Sequence, residues 1–248
     1  MSSAAEGIHI SDQLKSRRRG ILLVAGSAIV WSIGGTIARF LTVDDSWTVV
    51  FWRSIFAALF LLCFMLLRDG LRGTAALFRG MGLPGLGVAL CFGTASTSFI
   101  VALAYTTVAN ILLMQAGVPL IAALLTWTLF REKISATTWA AIAAVIAGVA
   151  IMVSESFTGK VSPIGDGLAL LISVMFANAT VITRRHAHVR MAPAVCLGTI
   201  IAAGVSGLLA GHYAVSVPDL SWLIAFGAVN LGLGLSIYGP MGYTKGPR

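Results

Sequence analysis

Four polar side chains lie where a bilayer would leave them few partners, and they define the chemistry open to this chain. Gln115 stands four residues before Pro119 in the stretch 103–133, whose middle, Val108–Phe130, carries no charged residue. A proline ring clashes with the carbonyl four residues back, so an amide side chain and a freed backbone acceptor fall at one level of the same helix. Asn178 and Asn230 sit near the middle of two other apolar runs, and Arg53 near the outer end of a third. In hydrocarbon such groups must find a partner or face water, which makes them candidate ligand groups for a small polar solute. Trp31 and Tyr238 are candidate walls of the same pocket, and Thr94, Ser96, Thr97 and Ser98 form a further polar cluster. Each has a plainer reading. Arg53 beside Trp47 and Trp52 could snorkel to the headgroups, and otherwise would point inward and attract a substrate carboxylate. Gln115, Asn178 and Asn230 could simply bond or pack between helices.

The elements that must hold these residues are membrane helices. Of 248 residues 58% are hydrophobic and 10% charged, against about a quarter charged in soluble domains. About 20 apolar residues cross a bilayer, and eight runs qualify: 20–41, 47–67, 83–104, 108–130, 136–154, 165–183, 192–212 and 219–239. The fold expected is an all-α polytopic membrane protein. The first run is too long for a signal-peptide core and lacks a clear cleavage site, so it reads as a retained span. Of 17 Lys and Arg, 14 fall in one set of alternate loops and tails and three (Arg39, Arg53 and Lys160) in the other. Positive loops stay inside, which sets both termini in the cytoplasm. The net charge of +8 comes in short clusters between spans, so topology accounts for it and nucleic acid is not an expected partner. Short loops and a basic N-terminus suit a bacterial cytoplasmic membrane.

Span one aligns without a gap on span six: residues 20–39 against 165–184 pair Gly20 with Gly165, Trp31 with Phe176 and Arg39 with Arg184. Ala104-Tyr105-Thr106 after span three has a counterpart in Gly242-Tyr243-Thr244 after span eight. A unit of five spans is odd, so its second copy enters from the opposite face, as in the inverted repeats of secondary transporters. The chain then divides into a cytoplasmic tail (1–19), a first five-helix copy (20–154), an outer linker (155–164) and a second copy (165–248) that stops after three helices. Eight helices of an expected ten are present on this reading. Ala140, Ala144 and Gly148 on span five, and Gly207 and Gly211 on span seven, are small-residue stripes that read as packing seams, with a homo-oligomer contact as the alternative.

Trp31-Ser-Ile-Gly-Gly35, Phe51-Trp52-Arg53, Ala102-Leu-Ala-Tyr-Thr106, Ala109-Asn110, Pro119, Arg131-Glu132 and Ala147-Gly148 stand in the order and spacing of a known family. Over about residues 20–248 the chain resembles the drug/metabolite transporter superfamily, in particular its EamA-like members. The resemblance implies ten helices in two halves and transport, often outward, of small metabolites such as amino acids, sugars or drugs. The expected function is therefore a secondary transporter, an exporter, working by alternating access. The alternative is a truncated, non-transporting membrane protein that is inactive or needs a partner chain for the missing helices.

Motifs of other chemistries are not expected to contribute. Cys63, Cys91 and Cys196 lie in apolar runs without metal-ligand spacing, His186 and His188 lack further ligands, and no hydrolase, nucleotide-binding or zinc-protease pattern occurs. No cofactor, metal or enzymatic activity is expected. Asn178-Ala-Thr180 reads as a glycosylation sequon, but mid-span it is out of reach. All nine acidic residues lie in loops or at span ends, which disfavours coupling through an intramembrane carboxylate.

Overall fold

The computed structural model describes residues 21–22, 25–26, 29–30, 32–131, 134–157, 162–187 and 189–233. Among these the protein is helical throughout: α1 (32–40), α2 (Ser46–Gly80), α3 (Gly82–Ala102), α4 (Val108–Gln115), α5 (Val118–Phe130), α6 (Ala136–Phe157), α7 (Pro163–Arg185), α8 (Ala192–Leu209) and α9 (Val217–Ile224), the last continuing as a π-helical segment, Ala225–Leu233. The helical residues between 21 and 30 belong to the same expected first span as α1.

Among the described residues five stretches are long and apolar enough to cross a bilayer: α2, α3, the α4–α5 pair, α7 and α8. Ala136–Ile151 and Val217–Gly232 are shorter apolar helices. Local chemistry explains where several of them begin. Pro119, Pro163, Pro193 and Pro218 stand in the first turn of α5, α7, α8 and α9, where a missing N–H costs nothing. Asp45, Thr107 and Ser216 cap α2, α4 and α9 with side-chain oxygens.

Two elements depart from the expected spans. Residues 68–80, expected as a loop, are helical apart from Gly70 and are joined to the span within α2. The two parts meet at a kink at Gly70, whose φ of 70° suits a residue without Cβ. The expected span 108–130 is divided at Ala116-Gly117, one turn before Pro119, into α4 and α5. There the backbone tightens to three-residue bonds, Gly117 N–H to the Met114 carbonyl at 3.1 Å and Leu120 N–H to the Gly117 carbonyl at 3.0 Å.

The surface is as apolar as the interior, as lipid contact requires: Leu67 is 90% exposed and Leu208 89%. Inside, small and weakly polar residues dominate, among them Ala57, Ala89, Ala95, Ser54, Ser173 and Thr199, which lets helix backbones come close. One close backbone approach joins α3 and α8. A Cβ built on Gly93 would stand 2.8 Å from the Gly198 carbonyl oxygen, and one on Gly198 2.6 Å from that of Ala89. The Ala140–Ala144–Gly148 stripe behaves otherwise: all three are exposed, and a Cβ on Gly148 would meet nothing within 4 Å. Gly207 does pack, against the Phe51 ring, while Gly211 is open.

Aspartates knit the helix ends at one pole. The Asp45 carboxylate accepts from Trp47 N–H (3.0 Å), the Thr48 hydroxyl (2.8 Å) and Gly211 N–H (3.1 Å) across the bundle. Asp219 accepts from Thr42 N–H and hydroxyl, at 2.9 and 2.7 Å. Buried Asp166 accepts from the Asn110 amide at 2.7 Å. The opposite pole is basic and includes an Arg190–Asp69 ion pair, with bonds of 2.8 and 3.2 Å.

Candidate functional site

Arg53 is buried, at 3% exposure, and therefore does not snorkel to the headgroups. It lies seven residues into α2, about 10 Å along the helix, with its guanidinium turned toward α3. Nη2 donates to the Ser96 carbonyl at 2.9 Å and to the Ser96 hydroxyl. The Phe226 ring of the π segment lies under the guanidinium, 5.0 Å from Cζ, a cation–π contact that partly replaces water. Nε is buried without a partner. Among the described residues no carboxylate pairs with this cation.

Beside Arg53 lies a cavity of about 100 Å³. It is walled by α1 (Gly34), α2, α3 (Phe92, Ser96, Phe99), α4 (Gln115), α7 (Phe176) and the π segment (Asn230). Gln115 is the last residue of α4, at the break ahead of Pro119, and its amide makes no hydrogen bond to a described residue. Asn230 donates to the Val30 carbonyl at 2.6 Å, tying the π segment to the first helix. Its position depends on glycines: a Cβ on Gly34 would stand 2.8 Å from the Asn230 amide oxygen, and one on Gly227 would run into the Arg53 carbonyl and, at 2.8 Å, Phe56 Cβ. The wider π turn carries Asn230 into this space, and such turns recur at functional sites.

The fold thus brings Arg53, Gln115 and Asn230 to one cavity. Asn178 does not join them. Its amide donates to the Val174 carbonyl of its own helix at 2.9 Å, and the α7 residue in the cavity wall is Phe176. Two residues along a helix turn by about 200°, so Asn178 faces the far side. Trp31 and Tyr238 lie outside the described residues. Sequence reasoning had no means of finding Phe226, or of choosing Ser96 from the Thr94–Ser98 cluster as the partner of Arg53. The one local hint for a close approach was the Gly34-Gly35 pair.

The described walls offer hydrogen-bond donors and acceptors, aromatic faces and one cation, and among the described residues no group of His, Cys, Asp and Glu could hold a metal. Such groups are chemically able to hold a small solute. The EamA-like transporter family matches residues 18–154, more than half of the 248. The chain belongs to the EamA-like transporter family. Neither a curated protein nor a solved structure matches it. EamA-like proteins are membrane transporters of small solutes rather than enzymes, and with its five spanning stretches this one is an integral membrane protein. Within the EamA-like match fall Arg53, Ser96 and Gln115; Phe176 and Asn230 come from beyond it.

Proposed function

We propose that the protein is a secondary transporter that carries a small metabolite, amino acid or drug-like solute outward across a bacterial cytoplasmic membrane by alternating access. The observation that carries this reading is the meeting of Arg53, Gln115 and Asn230 in one cavity between helices from the two parts of the chain. A solute held there touches both parts, so their relative motion can expose it to either side. The basic pole, with Arg68, Arg72, Arg79, Arg131, Arg184, Arg185 and Arg190, faces the cytoplasm, and the pole of Asp45, Asp166 and Asp219 faces out.

Packing supports the inverted halves, 20–154 and 165–248, as the moving units. α2 packs on α8; α3 crosses α8 while α9 and the π segment cross α2. Each half therefore lays its third span on the second span of the other, as a two-fold axis in the membrane plane would arrange them. The same exposed outer face of α6 is where a homo-oligomer would assemble.

Efflux tests the proposal. Vesicles containing the protein are loaded with a mixture of small metabolites, and losses are read by mass spectrometry against empty vesicles. Gln115→Ala removes an uncharged hydrogen-bonding group and should slow the transported solute about two- to tenfold. Unchanged kinetics would take Gln115 out of the site, and no protein-dependent loss of any solute would refute transport.

A further inference from the structure

Charge decides what can occupy the cavity. Arg53 is the one ionisable group among its described walls, and no carboxylate of the described residues pairs with it. Among the described residues its partners are one serine and one aromatic face, and its Nε is unpartnered. A buried cation so provided for strongly favours an anion beside it and repels a second cation, because low-dielectric surroundings screen neither interaction. The rest of the wall is apolar and aromatic (Phe92, Phe99, Phe176, Leu112) except for Gln115, Ser96 and Asn230. A volume of about 100 Å³ is smaller than the ~150 Å³ that holds a benzene ring.

We infer that the cavity binds small monoanions, a carboxylate or sulfonate on a short apolar stem, with Arg53 as the counter-charge and Gln115 as a neutral hydrogen-bonding partner. This rests on the transporter reading and narrows it to a substrate class. The anionic head accepts charge-assisted bonds from the guanidinium, which are the stronger kind, and the stem lies against Phe92, Phe99 and Phe176. Amines and cationic drugs are excluded. Since Arg53 stays with the protein, each transported anion carries a net negative charge across the membrane. An inside-negative potential then drives it outward, about 50-fold in concentration ratio per 100 mV.

Four three-carbon probes test this on the purified full chain: propanesulfonate, propionate, propionamide and propylammonium. Binding is read by titration calorimetry. Efflux of propanesulfonate, permanently charged and unable to cross lipid unaided, is read from proteoliposomes held at a set potassium–valinomycin potential. The two anions should bind about tenfold to hundredfold more tightly than the amide, propylammonium should not bind measurably, and Arg53→Gln should abolish the preference. Efflux should quicken as the interior is made negative. Equal or tighter binding of the amide or the ammonium overturns the inference, as does no binding of any probe, and the wild-type comparison decides even if Arg53→Gln fails to fold. The two readings separate cleanly. Arg53-dependent anion binding without efflux keeps the anion site and overturns transport, whereas protein-dependent efflux of neutral or cationic solutes without anion binding keeps transport and overturns the anion site.

Discussion

Gly198 and Gly204 lie six residues apart on α8, and replacing each by alanine isolates the α3–α8 crossing. At Gly198 the new methyl would stand 2.6 Å from the Ala89 carbonyl oxygen and 3.3 Å from the Gly93 nitrogen. Close carbon–oxygen contacts settle near ~3.3 Å, so the two backbones must part by about 0.7 Å. Neither obstacle is a flexible side-chain end, so the strain cannot be relieved by one rotamer change. Overpacking of this kind costs about 1–3 kcal/mol. Against it stands the gain from replacing glycine in a helix, about 0.8–1.0 kcal/mol. Gly198→Ala should therefore lose between about 0 and 2 kcal/mol. At Gly204 nothing lies within 4 Å of the added Cβ, and Gly204→Ala should keep the full gain. The helix term cancels between the twins, leaving a gap of about 1–3 kcal/mol that reports the crossing alone. Reversible unfolding in mixed detergent micelles measures it. Because Phe92, Ala95 and Ser96 of the displaced helix line the cavity, Gly198→Ala should also slow efflux while Gly204→Ala leaves it unchanged. Equal stability of the two variants would refute the close crossing, and with it the geometry of the cavity wall.

Burial pushes the Asp45 carboxyl up, but bonds from the Thr48 hydroxyl and the N–H groups of Trp47, Gly211 and Thr48 outweigh it and hold the group below its ordinary 3.8. A pKa lowered by folding means stabilisation that is complete above 3.8 and fades as pH falls through the lowered value. Melting from about pH 6 to pH 3 should expose that acid loss, and Asp45→Asn, which keeps an acceptor but does not titrate, should lessen it, the remainder coming from Asp69 and Asp219, which folding also holds below 3.8. Asn110→Ala removes a 2.7 Å donor from the buried Asp166 carboxylate and should destabilise by about 1.5–3 kcal/mol in the same micelle assay; a loss under half that would mean the bond is replaced. The Arg190–Asp69 pair is two-pronged but about 20% exposed on both sides. A double-mutant cycle should give no more than ~1 kcal/mol, shrinking as salt is added.

Some of this was legible in the chain. Pro119 announced a break in its helix because a missing N–H and a ring clash are local facts, and the break divides the stretch at Ala116-Gly117. Arg53 was a different case. Its position near a helix end, between tryptophans, is compatible with lipid headgroups or with an inward turn, and only the approach of Ser96 and Phe226, from helices far along the chain, decided for the interior. Asn178 and Asn230 looked alike, both mid-span amides. One closes on its own helix and the other reaches across to Val30, the difference arising from a π turn and from Gly34 and Gly227. Small-residue stripes misled for a related reason: spacing marks a smooth face but not what lies against it, and the close contact formed at Gly93 and Gly198 while the α6 stripe stayed exposed.

By itself, then, the sequence determined what depends on neighbours along the chain: apolar length, helix starts at proline and capping residues, and the alternation of charge from loop to loop. Which face of each helix turns inward was decided by tertiary structure alone. In a soluble helix the polar stripe marks the outside, but lipid is as apolar as the protein interior, so hydropathy carries little rotational information. Rotation is set instead by shape, by where a glycine admits another backbone and where a buried cation finds a carbonyl. Those partners lie tens to hundreds of residues apart, as Arg53 does from Ser96 and Phe226, and only the packed bundle brings them together.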